Sequence, residues 1–391
     1  MPHTVQLPHP QPGSLRLPAL LHAGFILTGV VNTMLGPMLP VLSARWGLSD
    51  ERAGYLFMAQ FGGSTLGVWG SSFLMARRRH RISLMLGLAL MALGSVTLLA
   101  ASWVSGIFAT FTFGVGLGFT IPTTNLLVSE LNPEKRAASL SLVNFSWTIG
   151  AAVSPFLVSG LLRVHRGSHL LYGVAAMLAL VALSLTRVSF PDVASASENA
   201  DRKMPVSLWR SRWVPILGAL FFLYVGTEAG LGGWTATYAH RIEPGAGTMW
   251  ILMPSFFWAA LLLGRLTAPL LLRSVRELTL AKYGLALSTA GVAGLLAARN
   301  LSVVAIAIAL AGLGLSSIFP IAIATLSRKF GAGASRIAGV MFALAGAGGA
   351  TLPWLIGYIS TVLGNLKYGL LVPLASSVIM LLLNAYLSET D

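Results

Sequence analysis

The chain has 391 residues, of which 55% are hydrophobic and only 10% charged, against about 25% charged in soluble globular proteins. So few charges cannot cover a soluble surface of this size, and the fold has to be built with lipid as its solvent. Lys and Arg number 26 against 12 Asp and Glu, giving a formal charge of +14, and Cys is absent. The absence of Cys excludes disulfides, thiol catalysis and thiolate metal sites. In a lipid-embedded chain the basic excess reads as crowding of Lys and Arg into cytoplasmic loops, not as a nucleic-acid surface.

A bilayer core of ~30 Å needs about 20 apolar residues per crossing helix. Twelve such spans are predicted, at 17–41, 52–75, 82–101, 104–130, 137–163, 169–189, 213–240, 246–273, 280–298, 302–328, 336–363 and 368–387. Residues 190–212 form the one long charged break, with Asp192, Glu198, Asp201, Arg202 and Lys203. The predicted organisation is a tail at 1–16, a six-helix bundle at 17–189, a linker at 190–212 and a second bundle at 213–391. With both termini in the cytoplasm, most of the 26 cationic residues fall on the cytoplasmic side, among them Arg77, Arg78, Arg79, Arg81 and Arg136. That bias predicts a multi-pass protein of the cell inner membrane with cytoplasmic termini.

The two halves repeat one another. Gly116 and Gly118 before Pro122 in span 4 echo Gly312 and Gly314 before Pro320 in span 10. Gly150 and Pro155 in span 5 recur as Gly348 and Pro353 in span 11. Duplicated halves with matching Gly and Pro interruptions are the mark of a secondary transporter, with its site at the membrane midplane between the repeats.

Twelve spans, a charged central linker and a basic loop after span 2 resemble the major facilitator superfamily over essentially the whole chain. Two stretches look most like the fucose–proton symporter family and its hexose-transporting relatives. One is Leu35-Gly36-Pro37-Met38-Leu39-Pro40 with Gly47-Leu48-Ser49-Asp50 and Gly54; the other runs from Phe222 through Tyr224 and Glu228 to Gly232, Gly233, Trp234 and Tyr238. The resemblance implies an all-α membrane fold of two pseudo-symmetric six-helix bundles that rock about one central site. The chain also departs from the family. Leu74 stands where the loop after span 2 usually carries Asp, so the lock at the cytoplasmic end is expected to be weak. Thr33 and Ile121 stand where the fucose symporter pattern has acids.

Glu228 is the one acid near the middle of a predicted span. A charge at that depth costs roughly 2.5–3.5 kcal/mol on insertion scales, so Glu228 should face a cavity or a partner, where it can take up and release a proton. Arg265 is the one basic residue within a predicted span. By helix rise it lies roughly 10–15 Å nearer the cytoplasm than Glu228, so it reads as an interfacial, structural arginine, with an ion pair to Glu228 as the alternative. Asn32, Gln60, Asn125 and Asn144 are intramembrane amides of the first half, offering donors and acceptors suited to hydroxyl-rich ligands. Trp147 shares a helical face with Asn144, and Tyr224 shares one with Glu228. Trp234 and Tyr238 reach the same site if Gly230, Gly232 and Gly233 break the helix. Trp250, Trp258 and Trp354 read as packing or interfacial residues, and Asn384 as interfacial.

No phosphate-binding loop, metal-ligand cluster or nucleophile–base set is evident, so neither a cofactor nor enzyme chemistry is expected. The leading expectation is a transporter of a small neutral sugar or polyol, coupled to protons through Glu228, working as a monomer in the bilayer. The alternatives are a proton-coupled exporter of amphipathic drugs or metabolites and an uncoupled uniporter. Arg77, Arg78, Arg79 and Arg136 are expected to act in gating.

Overall fold

In the computed structural model the described residues are 16–98, 102–163, 167–190, 211–331 and 334–390. The first bundle holds α1 (Arg16–Thr33), α2 (Leu35–Trp46), α3 (Asp50–Ala76), α4 (His80–Thr97), α5 (Trp103–Leu131), α6 (Arg136–Arg163) and α7 (Gly167–Ser184). The second holds α8 (Trp213–Ile242), α9 (Met253–Leu271), α10 (Glu277–Ala297), α11 (Leu301–Leu315), α12 (Ile318–Phe330), α13 (Ala334–Leu363), α14 (Leu366–Gly369) and α15 (Leu371–Thr390). The predicted tail and most of the predicted linker, at 1–15 and 191–210, lie outside the described residues.

Two predicted spans are broken by proline chemistry. The first bends by 40° where α1 meets α2. Pro37 has no N–H to offer the carbonyl of Thr33, four residues back, and the helix interrupts there. Pro320 likewise deprives Ser316, where α11 gives way to α12. Among the described residues ten spans pass as membrane-crossing by length and apolar content, and the α1–α2 pair makes an eleventh. The twelfth is α3. Its 27 residues reach about 40 Å at 1.5 Å per residue, ample for a bilayer core, but it packs along α5 and α13 between the bundles. A helix that faces protein on both sides can carry Gln60, Ser64 and Thr65 at membrane depth.

The duplication read from the sequence is visible in how glycines let backbones meet. A Cβ on Gly150 of α6 would fall on the carbonyl oxygen of Ile26 in α1, and a Cβ on Gly348 of α13 would fall on that of Phe222 in α8. Gly114 meets Gln60 of α3 as Gly312 meets Phe257 of α9, and Gly116 meets Gly87 of α4 as Gly314 meets Gly284 of α10. These are equivalent helix pairs in the two bundles, joined by small-residue packing in place of a hydrophobic driving force. The register corrects the sequence pairing by two residues: Gly114 and Gly116, not Gly116 and Gly118, correspond to Gly312 and Gly314.

The bundles meet along α3 and α13, α2 and α8, and α6 and α9. At one end of the molecule Asp50, the first residue of α3, accepts two hydrogen bonds from Arg241 of α8 at 2.5 and 2.8 Å and one from Ser360 of α13. The next backbone N–H, of Glu51, donates to Thr361 Oγ1 at 2.9 Å. On the α6–α9 side Ser255 donates to the carbonyl of Ala152 at 3.0 Å. Asn384, expected near the membrane–water interface, is 4% exposed and donates to the Leu278 carbonyl in the first turn of α10 at 2.9 Å. One amide thereby ties α15 to α10 where no water can serve it.

Candidate functional site

Between the bundles, at mid-depth, lies a cavity of about 130 Å³. Asn32, Thr33, Gly36, Gln60 and Trp147 line it from the first half, and Glu228, Gly232, Gly233 and Trp258 from the second. Asn32 meets α3, where the Gln60 amide nitrogen donates to both its carbonyl and its side-chain oxygen, each at 2.9 Å, while the Thr33 hydroxyl donates to the Gly29 carbonyl at 3.0 Å and to that of Ala151 in α6 at 3.4 Å. The pairing with Asn32 uses the Gln60 donors and leaves the Gln60 side-chain oxygen buried without a protein partner.

Glu228 lies halfway along the 30 residues of α8, and its side chain is 15% exposed. Its Oε1 accepts from the Tyr224 hydroxyl at 3.1 Å and from Arg265 at 3.4 Å. Arg265 also donates to the Tyr224 oxygen at 3.3 Å and, across the bundle interface, to Thr148 Oγ1 at 3.5 Å. The interfacial reading of Arg265 is therefore corrected: it is the partner of Glu228. The depth gap computed from helix rise closes because side chains tilt toward their own helix N-terminus. The two helices are antiparallel, so Arg265 leans toward the Asp50 end while Glu228 leans the other way.

Of the remaining predicted residues, Trp147 lines the cavity, and its ring meets Trp258 edge-on at 5.7 Å with an interplanar angle of 82°. Asn125 and Asn144 do not reach the cavity. Asn144 donates to the Asn125 side chain at 3.0 Å and to the Leu140 carbonyl at 2.8 Å, on an exposed stretch of α6 toward the Arg77 end. Trp234 and Tyr238 are also elsewhere, because α8 does not break at its glycines. Gly232 is covered by Trp258 and Gly36, and Gly233 by Phe57, so neighbours supply the packing the glycines lack. Trp234, six residues beyond Glu228, then falls on the far face; it is fully buried, and its indole N–H donates to the Pro353 carbonyl at 2.8 Å. Tyr238 lines a separate surface hollow near the Asp50 end with Arg241, Asn365 and Lys367.

The arginines expected to gate lie at the opposite end from Asp50. Arg77 stacks over Phe73 at 3.9 Å, Arg78 takes a left-handed φ of 56°, Arg79 precedes α4, and Arg136 pairs with Glu130 at 3.6 Å. The contacts of Arg77 and Arg136 stay within the first bundle. Trp258, read as ordinary packing, proves to be a cavity wall. It stands seven residues before Arg265, two helical turns on the same face, so the lone intramembrane cation marks the face it shares. Among the described residues no group of His, Asp and Glu is placed to hold a metal ion.

The family model of the Major Facilitator Superfamily matches residues 21–353. The glucose/mannose transporter GlcP of Bacillus subtilis is 24% identical over 357 residues, which cover 86% of this chain and 86% of GlcP. The E. coli fucose:proton symporter FucP, solved in the outward conformation, superposes with a TM-score of 0.64 at 20% identity over 96% of this chain and 99% of FucP. The E. coli xylose transporter XylE, in an inward open conformation, gives a TM-score of 0.73 at 13% identity over 94% of this chain and 95% of XylE. Twelve spans in two related bundles, a midplane cavity between them and the match to the family model together place the chain in the Major Facilitator Superfamily, as a multi-pass membrane transporter and not an enzyme.

Proposed function

We propose that the protein carries a small neutral sugar or polyol across the inner membrane by alternating access, coupled to protons through Glu228. The observation that carries this reading is the cavity itself. Its walls come from both halves and combine one carboxylate, two amides and two indoles. Amides and indole N–H groups match the hydroxyl and ring oxygens of a sugar, while an indole face stacks on its apolar side. Glu228 is already matched by Arg265, so no spare charge is left to hold an ionic substrate. A volume of about 130 Å³ falls below the ~300–1,000 Å³ of drug-sized clefts, which favours a single sugar ring over the amphipathic exporter cargo. GlcP, FucP and XylE, as their names state, carry sugars.

Glu228 is the acid at membrane depth that lines the cavity, and this supports its assignment as the proton site over the uniporter reading. Adding a proton neutralises Glu228 and removes the charge that holds Arg265, which also donates to Tyr224 beside Glu228 and, across the interface, to Thr148 of the opposite bundle. Loading the carboxyl thereby bears on the contact between halves. The bonds between bundles concentrate at the Asp50 end and at the cavity. This supports an inward-open state, with the Arg77 end and the termini in the cytoplasm, and the missing loop acid at Leu74 fits an end that closes weakly. The bundles at 17–189 and 213–391 are taken as the rocking units, joined by the linker at 190–212.

Counterflow of labelled hexoses, pentoses and polyols in proteoliposomes tests the substrate class. Stereoselective exchange of one sugar is expected. Movement of lipophilic cations with no sugar exchange would replace this reading with the exporter.

A further inference from the structure

Trp258 is wedged on three sides. Its indole lies against the backbone of α8 at Gly232, where an added Cβ would sit 2.8 Å from its Cζ2 and 3.6 Å from its Nε1. Phe257 meets the ring edge-on at 5.0 Å and Trp147 does so at 5.7 Å. Gly36 of α2 is packed onto the Gly232 carbonyl and Phe57 of α3 onto Gly233, so α8 is held at this point by backbone and ring contacts. The remaining free space beside the indole is the cavity, which Gly232, Trp147 and Trp258 all line.

We propose that Gly232 and Trp258 form a size filter that sets the largest sugar substituent the cavity admits, and so discriminates hexoses from pentoses. The inference rests on the sugar reading given above. A hydroxymethyl group takes up space comparable to one water, whose share of liquid volume is ~30 Å³, a sizeable part of a cavity of about 130 Å³. A methyl group at position 232 cannot coexist with the indole where it lies, because a separation under 3.0 Å forces something to shift. With α8 held by Gly36 and Phe57, the indole moves, and it moves into the substrate space. The absence of a side chain at 232 therefore sets the position of the far wall.

The test is competition by unlabelled hexose and pentose against labelled substrate in proteoliposomes, for wild type, Gly232→Ala, Trp258→Phe and the double variant. Gly232→Ala is expected to weaken hexose competition at least tenfold more than pentose competition, the scale on which a pocket discriminates one small group, with the thermal unfolding midpoint reporting intact folding. Trp258→Phe gives back the space the methyl takes, so the double variant is expected to recover hexose competition, a coupling that two independent defects do not show. Trp258→Phe alone is expected to admit a 2-acetamido hexose that wild type rejects, which keeps the proposal testable if Gly232→Ala does not fold. An unchanged hexose-to-pentose ratio in Gly232→Ala, or no recovery in the double variant, overturns the filter and leaves the sugar reading standing. A wild type that exchanges no sugar overturns both.

Discussion

Arg241 and Asp50 form a two-point ion pair that fastens the second bundle to the first at one end of the molecule. The Asp50 side chain is only 11% exposed and that of Arg241 45%, and Ser360 of α13 completes the set. Asp50 thus bonds from the N-terminus of α3 to two helices of the opposite bundle. Any rocking that opens this end must break all three bonds at once. Asp50→Asn keeps the shape and removes the charge. It is expected to shift the balance toward the state open at this end by roughly tenfold, the scale of a charge-assisted pair partly screened by water. The chain has no Cys, so spin labels can be placed on cysteines introduced at the exposed positions Ala44 and Lys367. Longer label distances in Asp50→Asn are expected; an unchanged distribution would mean that the pair does not hold this end closed.

Gly150 tests the backbone packing that makes the bundles. A Cβ there would collide with the Ile26 carbonyl of α1, a backbone atom that cannot swing aside. Gly150→Ala is expected to destabilise by about 1–3 kcal/mol, the usual cost of overpacking, and to lower the unfolding midpoint in detergent. Gly160, on the same helix, has nothing within 4 Å of its would-be Cβ. Gly160→Ala is expected to leave the midpoint unchanged or raise it, since helical Ala is favoured over Gly by about 1 kcal/mol. Equal behaviour of the two variants would contradict the packing account.

The sequence made the twelve spans, the duplicated halves and the mid-helix placement of Glu228 beside a cavity readable, because each is written in composition or in the spacing of Gly, Pro and charge. It did not make Arg265 readable as the partner of Glu228. Helix rise places Cα atoms, whereas the pairing depends on two side chains leaning toward each other from antiparallel helices. Trp258 and Trp234 were exchanged in role for a related reason. The glycines after Glu228 suggest a broken helix, yet Trp258, Gly36 and Phe57 pack on them and keep α8 continuous, which carries Trp234 away from the cavity. Asn125 and Asn144 were legible as polar residues, but whether two amides face a ligand or each other is decided only by the tertiary fold.

The two groups of amides should separate experimentally. Gln60→Ala removes the donor that holds Asn32 and an unpartnered acceptor in the cavity wall. It is expected to raise the KM for the transported sugar by about tenfold, the loss of one to two hydrogen bonds at ~0.5–1.5 kcal/mol each. Asn144→Ala is expected to change KM less than twofold, because its partner is Asn125 outside the cavity. A KM that rises for Asn144→Ala and not for Gln60→Ala would move the substrate site toward the Arg77 end.

Trp234→Phe removes the hydrogen bond to the Pro353 carbonyl and keeps most of the ring. It is expected to cost about 1 kcal/mol of stability with no change in KM, read by thermal unfolding and uptake on the same preparation. A raised KM with unchanged stability would return Trp234 to the substrate site.

If Glu228 carries the proton that drives substrate movement, coupling is lost with its carboxyl. The most direct measurement is sugar accumulation in proteoliposomes under an imposed pH gradient, alongside gradient-free exchange, for wild type and Glu228→Gln. Wild type is expected to accumulate sugar only with the gradient, and Glu228→Gln to keep exchange while losing accumulation. Gradient-driven accumulation that survives in Glu228→Gln, or a wild type indifferent to the gradient, would contradict the account.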